Sequence, residues 1–335
     1  MWSDYVLFLL KTLTFLVAAV VLLGVLVRAS KLGGEGPNQG KLVIQHLNRV
    51  FDDIGLRMRH QMLSKKALKK VLKARKVADK SAEKSEDTAK NAYYLKFKGD
   101  IHASQLANLS QEVTAILSIA QPGEEVIIAI ESPGGSVTGY GLAASQLVRL
   151  TDAGLTLTAC VDQVAASGGY MMACVADRIL AAPFAIVGSI GVVSQIPNVH
   201  RLLKRLDVDV DVLTAGKHKA PLTLLGENTD EGREKHLLDL GAIHGHFKAL
   251  VKRHRSELDI DQVSEGDFWL AEDALTLKLV DEISTSDAYL QQVCAQAQVY
   301  KVQWVPHKSL EQRIKGASAA LFGAFEGQLR KRWLP

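Results

Sequence analysis

The sequence predicts an α/β fold built on a largely parallel sheet. Two observations carry that prediction. Apolar, β-branched runs of strand length recur along the middle of the chain, as in Val126-Ile127-Ile128-Ala129-Ile130 and Leu155 to Val161. Segments of helical period stand between them, so strand and helix alternate as βαβ units do. The 335 residues are enough for a full hydrophobic core. Apolar residues make up 47% and charged residues 23%, ordinary for a globular protein with some membrane attachment, and a net charge of +4 carries no global nucleic-acid signature.

Tyr5 to Val27 is an apolar run broken only by Lys11, two threonines and Gly24. As a helix it reaches about 34 Å, enough to cross the hydrocarbon core of a bilayer. No positive charge precedes it, and Arg28 and Lys31 stand where a cleavable leader would carry small residues. Residues 1–30 therefore read as a permanent transmembrane anchor, with Lys11 able to snorkel to the interface. The charges after the span place the body in the cytoplasm by the positive-inside rule. The cysteines agree: Cys160 and Cys174 lie in apolar segments, and an odd count offers no disulfide framework.

Residues 31–90 read as a basic linker and juxtamembrane helix. Residues 31–40 are rich in glycine, and Val43 to Asp53 suits one short element. Leu63, Ala67, Val71 and Ala74 then recur at helical spacing among Lys65, Lys66, Lys69, Lys70, Lys73, Arg75 and Lys76. Two readings stand: a solvated helix between anchor and body, or a basic helix lying on anionic headgroups. No aromatic residues interleave the charges, which argues against a nucleic-acid partner.

Residues 91–290 read as the main domain. Strands are expected at Tyr93 to Phe97, Val126 to Ile130, Leu155 to Val161, Arg178 to Ala182, Ile186 to Val193 and Val208 to Leu213. Helices are expected at Ser104 to Ile119, Gly139 to Leu150, after Ser167, at Asn198 to Leu206, and from an Asn228 cap to about Leu258. Residues 291–335 read as a carboxy-terminal region whose amphipathic helix spans 309–334, packed on the body, on a neighbouring subunit or on a membrane surface.

Chemistry is expected at two strand ends. Ser167 lies between Ala165-Ala166 and Gly168-Gly169, where a strand gives way to a helix. Small neighbours leave its hydroxyl uncrowded, and the helix start turns free N–H groups towards it. Small residues also mark close helix packing, so that reading stands beside the nucleophile. Ser132-Pro133-Gly134-Gly135-Ser136 closes a buried strand, where open parallel sheets hold ligands. No Walker pattern is present, so the better reading is half an oxyanion hole from the Gly135 N–H, with Gly168 supplying the other half. A base is also needed. The nearest following histidine, His200, begins a helix that reads as solvated, which leaves a lysine, a base only where burial strips its proton. Lys217 and Lys219 follow a strand, and Lys219, before Ala220-Pro221, is the better placed to be carried inward.

Four motifs occur in order: Ser132-Pro133-Gly134-Gly135-Ser136-Val137, Ala166-Ser167-Gly168-Gly169-Tyr170, Gly188-Ser189-Ile190-Gly191-Val192 and Gly216-Lys217-His218-Lys219. Over residues 93–285 the chain closely resembles the signal peptide peptidase (SppA-type) family of membrane-bound serine peptidases. The resemblance implies a ClpP/crotonase-like fold for 91–290 and a Ser-Lys dyad, with Ser167 the nucleophile, Lys219 the general base and Ser189 orienting the lysine. It matches Gly135 and Gly168 to the oxyanion positions and implies no metal or organic cofactor. It also implies a ring-like homo-oligomer, single-pass attachment to the inner membrane lipid bilayer, and hydrolysis of apolar peptides such as signal-peptide remnants or other membrane-associated polypeptides. Members carry the catalytic body on the periplasmic side, against the charge cue. Lys278 departs from the related pattern, which usually has glycine there. Two rival functions remain: an acyl-CoA-processing enzyme on the same fold, and a non-catalytic membrane scaffold.

Overall fold

The computed structural model describes residues 2–32, 40–85 and 90–306. The chain divides into two compact units, Met1–Leu42 with Trp304–Pro335, and Val43–Gln303. In the first, the apolar run forms helix α1 (Trp2–Leu32). Its described apolar side chains, Leu7, Phe8, Leu13 and Phe15 among them, are exposed. The Thr12 and Thr14 hydroxyls donate back to the carbonyls of Phe8 and Leu10. The expected crossing of a membrane finds no support here, because among the described residues no helix is long and apolar enough to do so. The side chains of 19–32, the linker at 33–39 and the expected helix at 309–334 lie outside the described residues.

Strand β1 (Gly40–His46) runs into the second unit, which continues with α2 (Leu47–Met62) and α3 (Lys65–Ser85). There follow β2 (Asn91–Lys98), α4 (Leu106–Leu117), β3 (Glu125–Glu131), α5 (Val137–Asp152), β4 (Thr156–Val161), β5 (Val164–Ala166) and α6 (Gly168–Ala173). Then come β6 (Arg178–Ala181), β7 (Ile186–Gly188), α7 (His200–Arg205), α8 (Asp230–His254), α9 (Ile260–Val263) and β8 (Phe268–Leu270). The chain continues through α10 (Ala271–Thr276), β9 (Glu282–Ile283), α11 (Ser286–Cys294) and β10 (Gln298–Pro306). Seven strands form one sheet in the order β1-β10-β2-β3-β4-β6-β9, and its pairs from β10 to β9 are parallel. A second sheet, β5-β7-β8, joins it where Ser132 bridges Ala165 in parallel at the carboxyl end of β3.

The central strands are apolar throughout because both faces are covered. Ala92, Tyr94, Ile127 and Ala129 pack with Leu47, Tyr289 and Leu290, from α2 and α11. Alternate residues point the other way. There Phe97 meets Tyr140 of α5 edge-on, ring centroids 6.2 Å apart. Each fully buried Ile or Leu here contributes about 1.5–3 kcal/mol.

Three sequence expectations are corrected. Val208 to Leu213 is not a strand: Val208, Val212 and Leu213 are exposed, and no partner strand pairs with the segment among the described residues. The long helix is capped by Thr229, whose side chain accepts the Gly232 amide, while the Asn228 side chain accepts the Thr223 amide at 2.8 Å. Ile186 to Val193 is strand only to Gly188. The sequence reading missed the short strands β5, β8 and β9, and also β1 and β10. Asn48 fixes β10 by accepting the Val299 amide at 2.8 Å and donating to the carbonyls of Cys294 and Ala297.

Candidate active site

The carboxyl ends of β3, β5 and β7 converge on one cleft. It is lined by Gly135, Val137, Ser167, Gly168, Met171, Gly191, Val192, Ile243 and Phe247. Ser167 follows β5 and caps α6 with φ 52° and ψ −118°. A residue with a Cβ pays about 1–3 kcal/mol for such a backbone, which persists only where its surroundings impose it. Ser167 is half-buried at the top of its strand, in the strained strand-to-helix turn where nucleophilic serines are presented.

The surroundings are identifiable. The Ser167 amide donates to the Gly188 carbonyl at 2.7 Å, and Ala166 pairs with Gly188 across the small sheet. Four apolar or aromatic residues after Ser167, Tyr170, Met171, Met172 and Val175, are buried. Tyr170 donates to the Leu279 carbonyl at 2.9 Å, and burial raises its phenol far above the ordinary range, so it stays neutral. Opposite Ser167 runs the Ser132–Ser136 loop. Gly134 has φ +94°, and a Cβ there would fall 2.7 Å from Ser167 Cβ, so only glycine fits both the backbone and the space. Among the described residues, neither the Gly135 amide nor the Gly168 amide donates a hydrogen bond to the protein. Gly135 is exposed and Gly168 is buried. Two spare donors and a hydroxyl thus share one cleft.

Ser189 leaves β7 just as Ser167 leaves β5, with φ 53°, and its amide donates to the Asp267 carbonyl at 2.6 Å. Neither serine hydroxyl is hydrogen-bonded among the described residues. Lys219 is not brought to them. The expected inward placement is not seen in the single chain, where Lys219 is exposed and does not line the cleft. From 208 to 229 the chain forms no regular helix or strand that could press it inward. Leu213, Leu224 and Leu225 of the same segment are exposed, Leu213 to 92%. Lys217 stays in solvent as expected, paired with Glu231 at 2.7 Å, and that pairing lowers the Glu231 carboxyl below its usual range. Ile243 and Phe247 were not foreseen at the site. Their spacing of one helical turn on α8 was the available signal.

Comparison with known proteins gives the class, a peptidase. Residues 1–147 match the model described as peptidase family S49 N-terminal, and residues 149–300 match that of peptidase family S49. The chain belongs to the peptidase S49 family. It is 46% identical over 320 residues to a protein described as probable protease SohB of Haemophilus influenzae, covering 92% of this chain and 90% of the relative. A probable protease SohB of Buchnera aphidicola is also 46% identical, over 229 residues and 68% of each chain. A solved structure, a serine-to-alanine mutant of the 1510-N membrane-bound stomatin-specific protease, covers 61% of this chain and 84% of its own at 14% identity, with a TM-score of 0.40.

Proposed function

We propose that the protein is a membrane-anchored serine endopeptidase that hydrolyses apolar peptides through a Ser167–Lys219 dyad on a ClpP/crotonase-like body. The observation that carries this reading is the strained Ser167 sharing a cleft with the spare amides of Gly135 and Gly168. Neutral Lys219 takes the Ser167 proton as Oγ attacks the scissile carbonyl. The two glycine amides hold the oxyanion, each worth about 3–4 kcal/mol in such sites. Collapse expels the amine, which takes its proton from Lys219. A water molecule deprotonated by Lys219 then cleaves the acyl-enzyme and Ser167 regains its proton. Ser189 orients the lysine. Val137, Met171, Val192, Ile243 and Phe247 suit an apolar substrate side chain.

Lys219 can act only once water is excluded from it, so the segment 208–229 must close over the cleft. The exposed leucines of that segment suit the surface of a second copy in a homo-oligomer. The apolar run in α1 supports attachment to a bilayer, and release of the full-length protein from membranes by alkaline carbonate, without detergent, would refute it. The deciding experiment follows hydrolysis of apolar fluorogenic peptides by the solubilised full-length protein. Ser167→Ala and Lys219→Ala are each expected to lower kcat about 10³-fold or more. Wild-type rates in either folded variant overturn the dyad.

A further inference from the structure

Four groups behind the cleft form one chain of hydrogen bonds whose direction is fixed at every link. Ser132 and Tyr140 are both wholly buried. The Tyr140 hydroxyl donates to the Asp100 carbonyl at 2.8 Å, an oxygen that can only accept. The single phenolic proton is thereby used, so at the 2.5 Å contact between the two hydroxyls Ser132 must be the donor. The Ser132 lone pairs then face the Gly134 amide, which donates to Oγ at 3.1 Å. The order is Gly134 N–H to Ser132 O–H to Tyr140 O–H to Asp100 C=O. Burial raises the Tyr140 phenol above its ordinary range, which keeps that proton in place.

Two members of this chain, Gly134 at one end and Tyr140 within it, reach glycines of the site. Gly134 carries the peptide link to Gly135 and lies against Ser167. The Tyr140 ring occupies the space that a side chain on Gly168 would take. Ser132 is held in turn, its amide donating to Val164 at 2.8 Å and its carbonyl accepting from Ala166 at 3.0 Å. We infer that Ser132 and Tyr140 are positioning residues that set the aim of the Gly135 and Gly168 amides, a role that rests on the reading of Ser167 as nucleophile. They touch no reacting atom. They bear on the transition state because the oxyanion, and not the ground-state carbonyl, requires both amides in place.

The test uses the full-length protein with Ser132→Ala, Tyr140→Phe and the double variant, an apolar fluorogenic peptide, and an apolar peptide aldehyde that forms a tetrahedral adduct. Each single variant is expected to lose about ten- to hundredfold in kcat with KM within about twofold, and aldehyde affinity should fall in parallel. The double variant should lose no more than the worse single, since cutting either link breaks the same chain. A purely structural role would lower Tm and leave kcat and aldehyde affinity of the folded protein unchanged, which overturns the inference. If Ser132→Ala does not fold, Tyr140→Phe decides alone, because it removes one oxygen and leaves the ring on Gly168. A wild-type protein whose rate is untouched by Ser167→Ala sinks the reading of the site. A Ser167-dependent enzyme indifferent to Tyr140→Phe sinks only the inference.

Discussion

The amide of Ser167 is bound to the carbonyl of the residue just before Ser189, so the two serines leave neighbouring parallel strands side by side. Both turn through a left-handed backbone, φ 52° and 53°. If Ser189 aligns the lysine amine, Ser189→Ala should lower kcat about ten- to hundredfold while KM holds. Steady-state rates on an apolar peptide check this, and an unchanged kcat removes Ser189 from the machinery.

Gly168→Ala should damage stability and activity together. Its Cβ would enter the Tyr140 ring near the ring's root, which cannot swing aside. Such overpacking costs about 1–3 kcal/mol. Thermal unfolding should show a lower Tm, and peptide hydrolysis should fall below the measurable fraction of wild type.

Lys278 tells the opposite story. It occupies the left-handed region, φ 65°, and its side chain is exposed. Its carbonyl accepts from Arg255 at 2.9 Å, a bond that any residue can make. Lys278→Gly should therefore stabilise the protein by about 0.5–1 kcal/mol without altering the rate. Chemical denaturation at equilibrium measures the gain, and a loss of stability would contradict it.

The cysteines should be quiet. Burial pushes the Cys160 and Cys174 thiols up to about 12, so both remain protonated at neutral pH and unreactive. Cys294 is half-buried and its thiol is also raised by burial. A thiol-reactive dye at pH 8 should label at most the last of these in the native protein and all three after denaturation. Fast native labelling of Cys174 would mean that the helix behind Ser167 opens.

Where burial wrote the pattern, the sequence was readable. Val126 to Ile130 is covered on both faces and carries an unbroken apolar run that only a strand of this length suits. Ser167 and the Gly134-Gly135 turn were legible because strained backbones and close approaches restrict residue type. The failures lie at surfaces. Val208, Val210 and Val212 alternate with aspartates as an edge strand would, yet among the described residues no strand pairs with them, and alternation alone cannot report a missing neighbour. In β10, polar Lys301 and Gln303 break the apolar run, and its partner is remote in sequence. Lys219 was placed by chemistry rather than by pattern, since nothing in an irregular exposed segment records the surface that would cover it. Ser132 and Tyr140 were invisible as a pair because their contact depends on how α5 returns over β3.

The parallel pairing of β10 with β2 joins Gln298 to Asn91, about two hundred residues earlier in synthesis. Until β10 leaves the ribosome, one edge of β2 has no ladder to complete, and an open edge invites pairing with other chains. The nascent protein must therefore be shielded for most of its translation. A stop codon before residue 298 would release an aggregating fragment rather than a shortened enzyme.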